Sequence, residues 1–201
     1  IENYLTSRRL MYWQVYLHKT TVGYEKLLVN LLSRAKYLAD QGETLFATPA
    51  LHFFLYNHID KEAFVDNAEP LQHYKMLDDS DIWASVKAWT THRDPILSLL
   101  SRNLIDRRIF KVEVRSTAVE EAEVMDIRHQ IAQRYGLSFD DTAYLVNVST
   151  IRKDMYDIHD DHISILYKDG TIKDITEASE ILNISLLSKK ICKYYLCYQR
   201  F

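Results

Sequence analysis

Tyr4, Arg8, Tyr12 and Tyr16 recur at every fourth position of the opening segment IENYLTSRRLMYWQVYLHK, and His18 and Lys19 follow at once. Side chains four apart share a helix face, so these residues form one stripe of aromatic rings and positive charge. Arg8 and Tyr16 stand roughly 12 Å apart at helical rise, about the reach from a nucleotide's base or sugar to its outermost phosphate. That spacing suits a nucleoside triphosphate. A packing face has the same pattern, with cationic heads stretched over it into water, and spacing alone does not separate the two readings.

The run Tyr4-Leu5, Arg8-Arg9, Tyr12 and Val15-Tyr16-Leu17-His18-Lys19 resembles the helix that follows the metal site in HD-domain phosphohydrolases, specifically the dGTPase-like dNTP triphosphohydrolases. A second block agrees and stands in the right order. It comprises Leu77-Asp78-Asp79-Ser80-Asp81-Ile82-Trp83, Trp89, His92-Arg93-Asp94-Pro95-Ile96-Leu97 and Leu104-Ile105-Asp106-Arg107-Arg108-Ile109-Phe110-Lys111. The resemblance covers residues 1 to 115 and, beyond them, rests on order and architecture.

The resemblance implies roles residue by residue. Arg8 matches an arginine that contacts the substrate triphosphate, where a guanidinium offers a planar fork of donors and stays charged. Tyr16 matches a tyrosine that packs on the substrate sugar and helps exclude ribonucleotides. His18 and Lys19 match residues at an effector-nucleotide site between subunits in a vertebrate member, although Gln14 replaces an arginine that contributes there. The expected chemistry is metal-assisted attack of water at the α-phosphate, releasing a deoxynucleoside and triphosphate.

In that family a histidine, a His-Asp pair and a distant aspartate hold the divalent metal, all upstream of the helix with which this chain begins. The resemblance therefore implies a C-terminal portion of the parent protein, with the metal bound outside this chain and the chain alone inactive. Ile1 is not an initiator methionine, in keeping with that expectation. The cluster Asp157-Ile158-His159-Asp160-Asp161-His162 mixes imidazole and carboxylate, but its six consecutive residues read as a solvated acidic turn. His52, His58, His73, His92 and His129 have no ligand spacing. No catalytic residue and no metal ligand is assigned within the chain.

Composition bounds the partners. With 201 residues and 47% hydrophobic content, the chain holds ample core for one large or two small domains. A net charge of −3 gives no basic surplus for nucleic acid or an acidic membrane. Cys192 and Cys197, five apart on a strand, point to opposite faces and do not bridge each other. Two unpaired thiols and no membrane-length apolar run fit a cytoplasmic location.

The elements divide near residue 108. Residues 1–108 read as a mostly α part, the helical region of the phosphohydrolase core. Its first helix runs from Glu2 to Leu38 with Gly23 as the sole interior disruption, and Gln41-Gly42 ends it. Pro49 to Tyr56, 60–65, 70–76, Asp79 to Thr90 and Pro95 to Asp106 follow, with Asp79 or Ser80 capping the penultimate one. Residues 109–201 read as strand, helix, strand, strand, helix, strand. The strands cover 109–115, 143–149, 162–167 with a hairpin to 174, and 189–198; the helices cover 117–135 and 175–182. That order is the ferredoxin-like βαββαβ arrangement, an α+β interaction module. Tyr12 reads as core and Arg9 with Trp13 as a cation–π pair.

The leading expectation is thus the C-terminal fragment of a dNTP triphosphohydrolase that takes a dNTP substrate, an effector nucleotide and a second copy of itself. Two others stand beside it: an HD phosphohydrolase acting on a different nucleotide or phosphate ester, and a non-catalytic nucleotide-sensing and oligomerisation module.

Overall fold

Short polar side chains cap four of the described helices. In the computed structural model, which describes residues 2–153, 163–178 and 191–201, Asp60 caps α4 (Lys61–Asp66) and Asn67 caps α5 (Ala68–Met76), each accepting a backbone N–H of the first turn. Asp78 caps α6 (Asp79–Trp89) through a reciprocal box, its carboxylate accepting from Ser80 and Asp81 while Asp81 accepts from the Asp78 N–H. The cap is therefore one residue ahead of the expected Asp79 or Ser80. Asp94 caps α7 (Pro95–Ile105) by accepting from Leu97 at 2.7 Å. Pro49 and Pro95 occupy first helical positions of α3 (Pro49–Tyr56) and α7, where a missing N–H costs nothing.

The opening segment departs from the expected single helix. It comprises α1 (Glu2–Met11), a π-helical turn over Tyr12–Tyr16, and α2 (Lys19–Asp40). Gly23 is buried within α2 and interrupts nothing. The break falls at Leu17-His18, where the Leu17 N–H reaches back five residues to the Tyr12 carbonyl at 2.8 Å. His18 then acts as a cap, its Nδ1 accepting from the Thr20 N–H, and the Thr21 hydroxyl donates to the Val15 carbonyl. Side chains that compete for backbone groups, rather than a glycine, set this boundary.

The chain forms two compact units. One comprises Gly23–Lys111, Glu121–Asn147 and Cys197–Phe201. Its core is apolar: Leu27, Leu31, Ala35 and Leu38 of α2, Val86 and Trp89 of α6, and Ile96, Leu97, Leu100 and Leu104 of α7 are all buried. Arg34 is buried among them, on the same face of α2. Its Nε and Nη2 donate to the two carboxylate oxygens of Asp94 at 3.1 and 2.6 Å, and its Nη1 donates to Asp141 at 2.8 Å. The rings of Tyr37 and Tyr144 lie 5.2 and 5.1 Å from the guanidinium carbon. One residue thus ties α2 to the start of α7 and to the 3₁₀ turn Asp140–Tyr144 that follows α8 (Glu121–Tyr135).

Helix ends in this unit use three left-handed residues, Gly136 after Tyr135 at φ +63° among them. Gly42, at φ +83°, closes α2 as expected. Arg107, at φ +58°, closes α7: its own N–H reaches the Leu104 carbonyl and the Arg108 N–H reaches Asn103 at 2.8 Å. An arginine here occupies a position that usually belongs to glycine.

The other unit comprises Ile1–Val22, Val112–Glu120 and Val148–Leu196. The described strands form an antiparallel hairpin and a separate three-stranded sheet. The hairpin pairs β3 (Ser164–Leu166) with β4 (Ile172–Asp174), Ile165 opposite Lys173, across a turn at Gly170. Ile175 of the short α9 (Ile175–Ala178) is buried against Ile163 and Ile165. The sheet has the order β1-β5-β2, from Lys111–Arg115, Ile191–Tyr198 and Val146–Lys153.

The fold class is α+β, but the described strands do not build the single four-stranded sheet of a ferredoxin-like module. The physical reason is β5, whose successive residues Tyr195, Leu196, Cys197 and Tyr198 are all buried. A strand buried on both faces takes the centre of a sheet, while β3 and β4, three residues each, pair only with one another. The helix expected from Thr117 starts at Glu121. The expected end of the 175–182 helix and the start of the last strand fall outside the described residues, as does the Asp157–His162 cluster. Both cysteines are free, and burial pushes the Cys197 thiol up to about 11.

Breaking the Arg34 cluster should be costly. Burial by itself would raise the Asp94 pKa, but the hydrogen bonds and charge of Arg34 and the Leu97 N–H outweigh it and hold the carboxyl below its usual range. A lowered native pKa gives stability that is complete well above the unfolded value of about 3.9 and is lost as pH falls from there through the lower native value. In urea denaturation, Arg34→Met should lose about 3 kcal/mol at pH 7, and the wild type should lose stability progressively as pH falls below about 5. An Asp94→Asn protein should show less of that acid loss.

Candidate functional site

The stripe read from the sequence is present on α1 and the π turn. Tyr4, Ser7, Arg8, Met11, Tyr12 and Tyr16 line one concavity of about 250 Å³. The Arg8 guanidinium carbon lies 5.8 Å from the centre of the Tyr12 ring, and the Tyr12 and Tyr16 rings are 5.3 Å apart and tilted by 41°. A continuous α-helix would swing Tyr16 about 80° round the axis from Arg8. The wider π turn returns it toward the line of Arg8 and Tyr12, so the irregular backbone is what keeps the stripe straight.

The side chains here are available. Tyr4 is 64% and Tyr16 53% exposed, whereas Arg8 and Tyr12 are half-buried. Among the described residues no carboxylate pairs with Arg8. Its guanidinium therefore rests on an aromatic face with its donors unclaimed by any described residue, and an anion carrying two or three oxygens would satisfy the fork. Tyr12, expected as core, instead forms the floor beneath Arg8. The cation–π contact described on this helix is Arg8 over Tyr12 rather than Arg9 over Trp13. The signal for Tyr12 was its place in the four-residue spacing.

His18 and Lys19 lie just past the π turn, and both are exposed. They do not line the concavity. His18 already uses Nδ1 to accept from Thr20, which leaves Nε2 for any ligand. Arg8 with Tyr16 is thus one cluster, and His18 with Lys19 is another at the start of α2.

No three His, Cys, Asp or Glu side chains converge to hold a metal ion among the described residues. Those residues do not fit the divalent metal that the resemblance implies, and no chemical step is derived through one. No described helix is long and apolar enough to cross a membrane.

No family model matches the chain. The chain is 31% identical over 206 residues to an uncharacterized protein of Bacillus subtilis, YwfO, an alignment that spans 100% of this chain and 45% of YwfO. It is also similar to a phosphohydrolase of Bacteroides thetaiotaomicron known from a crystal structure. The two are 55% identical with a TM-score of 0.93, over 99% of this chain and 49% of the other. The chain spans about half the length of the relatives it matches.

The concavity leads to a specific expectation for simple anions. Binding of inorganic triphosphate to this chain, measured by calorimetry at low salt, should weaken at least about tenfold in Arg8→Ala, the loss of one charge-assisted contact pair. Arg9→Ala, at a residue that does not line the concavity, should change it less than about twofold. Equal effects would make the attraction a diffuse one.

Proposed function

We propose that this chain is the substrate-positioning part of a phosphohydrolase and that the whole protein hydrolyses a dNTP to a deoxynucleoside and triphosphate. The observation that carries the reading is the guanidinium of Arg8, with which no carboxylate among the described residues pairs and which lies over Tyr12 in a concavity that Tyr16 shares. Its support is the 55% identity to a protein named a phosphohydrolase and the agreement of the two folds.

On this reading Arg8 grips the triphosphate through two parallel N–H···O bonds, and Tyr16 packs on the sugar. An exposed ring there discriminates by contact: a 2′-hydroxyl pressed against it loses its water without gaining a partner. The parent belongs with the HD-type dNTP triphosphohydrolases, its divalent metal held outside the residues described for this chain. Residues 1–108 belong to its helical core and 109–201 to an accessory module. His18 Nε2 and Lys19 face an effector nucleotide, and the protein works as a homo-oligomer in the cytoplasm.

The test is a turnover assay on the full-length protein against a panel of dNTPs, NTPs, cyclic dinucleotides and simple phosphate monoesters, reading released triphosphate and orthophosphate separately. Triphosphate should be released from at least one dNTP. Arg8→Ala should lower kcat/KM by about a hundredfold or more, and Tyr16→Ala should chiefly narrow the preference for deoxyribose. Orthophosphate from monoesters, with no triphosphate from any nucleotide, would sink the dNTP reading.

A further inference from the structure

The π turn that aligns Tyr16 with Arg8 does not stand alone. Leu17 closes it with φ −99° and ψ +10°, outside the regular helical well, and α2 restarts two residues later. The Leu17 carbonyl accepts a hydrogen bond from the hydroxyl of Tyr195 at 2.9 Å, across 178 positions of sequence and within the same compact unit. Tyr195 is 1% exposed and belongs to β5, the central strand of the three-stranded sheet. A rigid phenol rooted in the middle of a sheet thus touches the backbone at the one point where the opening helix changes its winding.

We propose that Tyr195 is a positioning residue for the nucleotide site: its hydroxyl pins the Leu17 carbonyl, holds the π turn, and so sets where Tyr16 stands relative to Arg8. Two observations favour this over simple packing. The contact is made by the polar tip of a side chain whose ring is already buried, so the ring alone satisfies the sheet and the hydroxyl is directed elsewhere. The contact also falls immediately after Tyr16 and immediately before His18, the junction of the two clusters. A buried strand near the C-terminal end of the chain therefore becomes part of the candidate site and gives the expected accessory region a concrete role.

The direction of the effect follows from the geometry. Arg8 lies on the regular α1, upstream of the turn, and Tyr16 is the last residue of the turn. Loosening Leu17 displaces Tyr16 and leaves Arg8 where it is. The phosphate contact should persist while the sugar contact slackens.

The inference rests on the dNTP reading for its consequence but not for its structural part, so Tyr195→Phe in the full-length protein is read in two ways. Phenylalanine keeps the ring and removes only the hydroxyl. Amide hydrogen exchange should accelerate about fivefold or more in a peptide covering Tyr12–Thr20, the loss of one hydrogen bond, with β5 protection and Tm nearly unchanged. The kcat/KM preference for the preferred dNTP over its ribonucleotide should fall roughly tenfold, through a shifted contact, while inorganic triphosphate inhibits as before.

Unchanged exchange at the turn overturns the proposal, and so does a uniform loss of protection across β5, which would make Tyr195 a packing residue. Faster exchange with unaltered sugar preference overturns the functional half. If the wild type hydrolyses no nucleotide, the dNTP reading fails by itself and the exchange result still decides the role of Tyr195.

Discussion

The guanidinium of Arg34 is the constraint on which the helical unit depends. A charged group enters an apolar interior only if its donors are met, and here they are met from separate segments: Asp94 takes a bidentate pair and Asp141 a third bond. The same Asp94 carboxylate caps α7. One side chain thereby fixes the register of α2 against the start of α7 and the turn after α8, and the rings of Tyr37 and Tyr144 cover its faces. Hydrophobic burial drives this unit together without choosing one arrangement. The directional bonds of Arg34 do the choosing.

The other unit contains the second special piece of backbone. Its opening helix is not regular where it carries chemistry, and the π turn at Tyr12–Tyr16 keeps Arg8, Tyr12 and Tyr16 in line when an unbroken α-helix would fan them apart. Such turns cost helical hydrogen bonding and need outside support. The support comes from His18 and Thr21 within the segment and from the Tyr195 hydroxyl beyond it.

Much of this was legible in the sequence because it is local. Pro49, Gln41-Gly42 and the acidic residues at the start of α6 announce helix ends through groups a few positions away, and those ends fall where they were expected or one residue off. The family-like blocks LDDSDI and HRDPIL turn out to contain folding devices, a capping box at Asp78 and the Asp94 cap with Pro95 behind it. What was illegible is distant. Arg34 finds its partners 60 and 107 positions along the chain, and Tyr195 finds Leu17 at 178. The described strands do not bear out the ferredoxin-like expectation for the same reason, since the order of strands along a chain does not state which of them will occupy the centre of a sheet. For the site, the four-residue spacing put Arg8 and Tyr16 on one stripe, and both line the same concavity. It could not say that Tyr16 would return to the line of Arg8 and Tyr12, which the π turn decides.

The account's central claim is that the face of α1 and the π turn is one wall of a nucleotide site. A crystal structure of the full-length protein with a non-hydrolysable dNTP tests it most directly. The account predicts triphosphate oxygens within hydrogen-bond distance of the Arg8 guanidinium and the deoxyribose against the Tyr16 ring. A nucleotide bound elsewhere, with Arg8 and Tyr16 packed against protein, would contradict it.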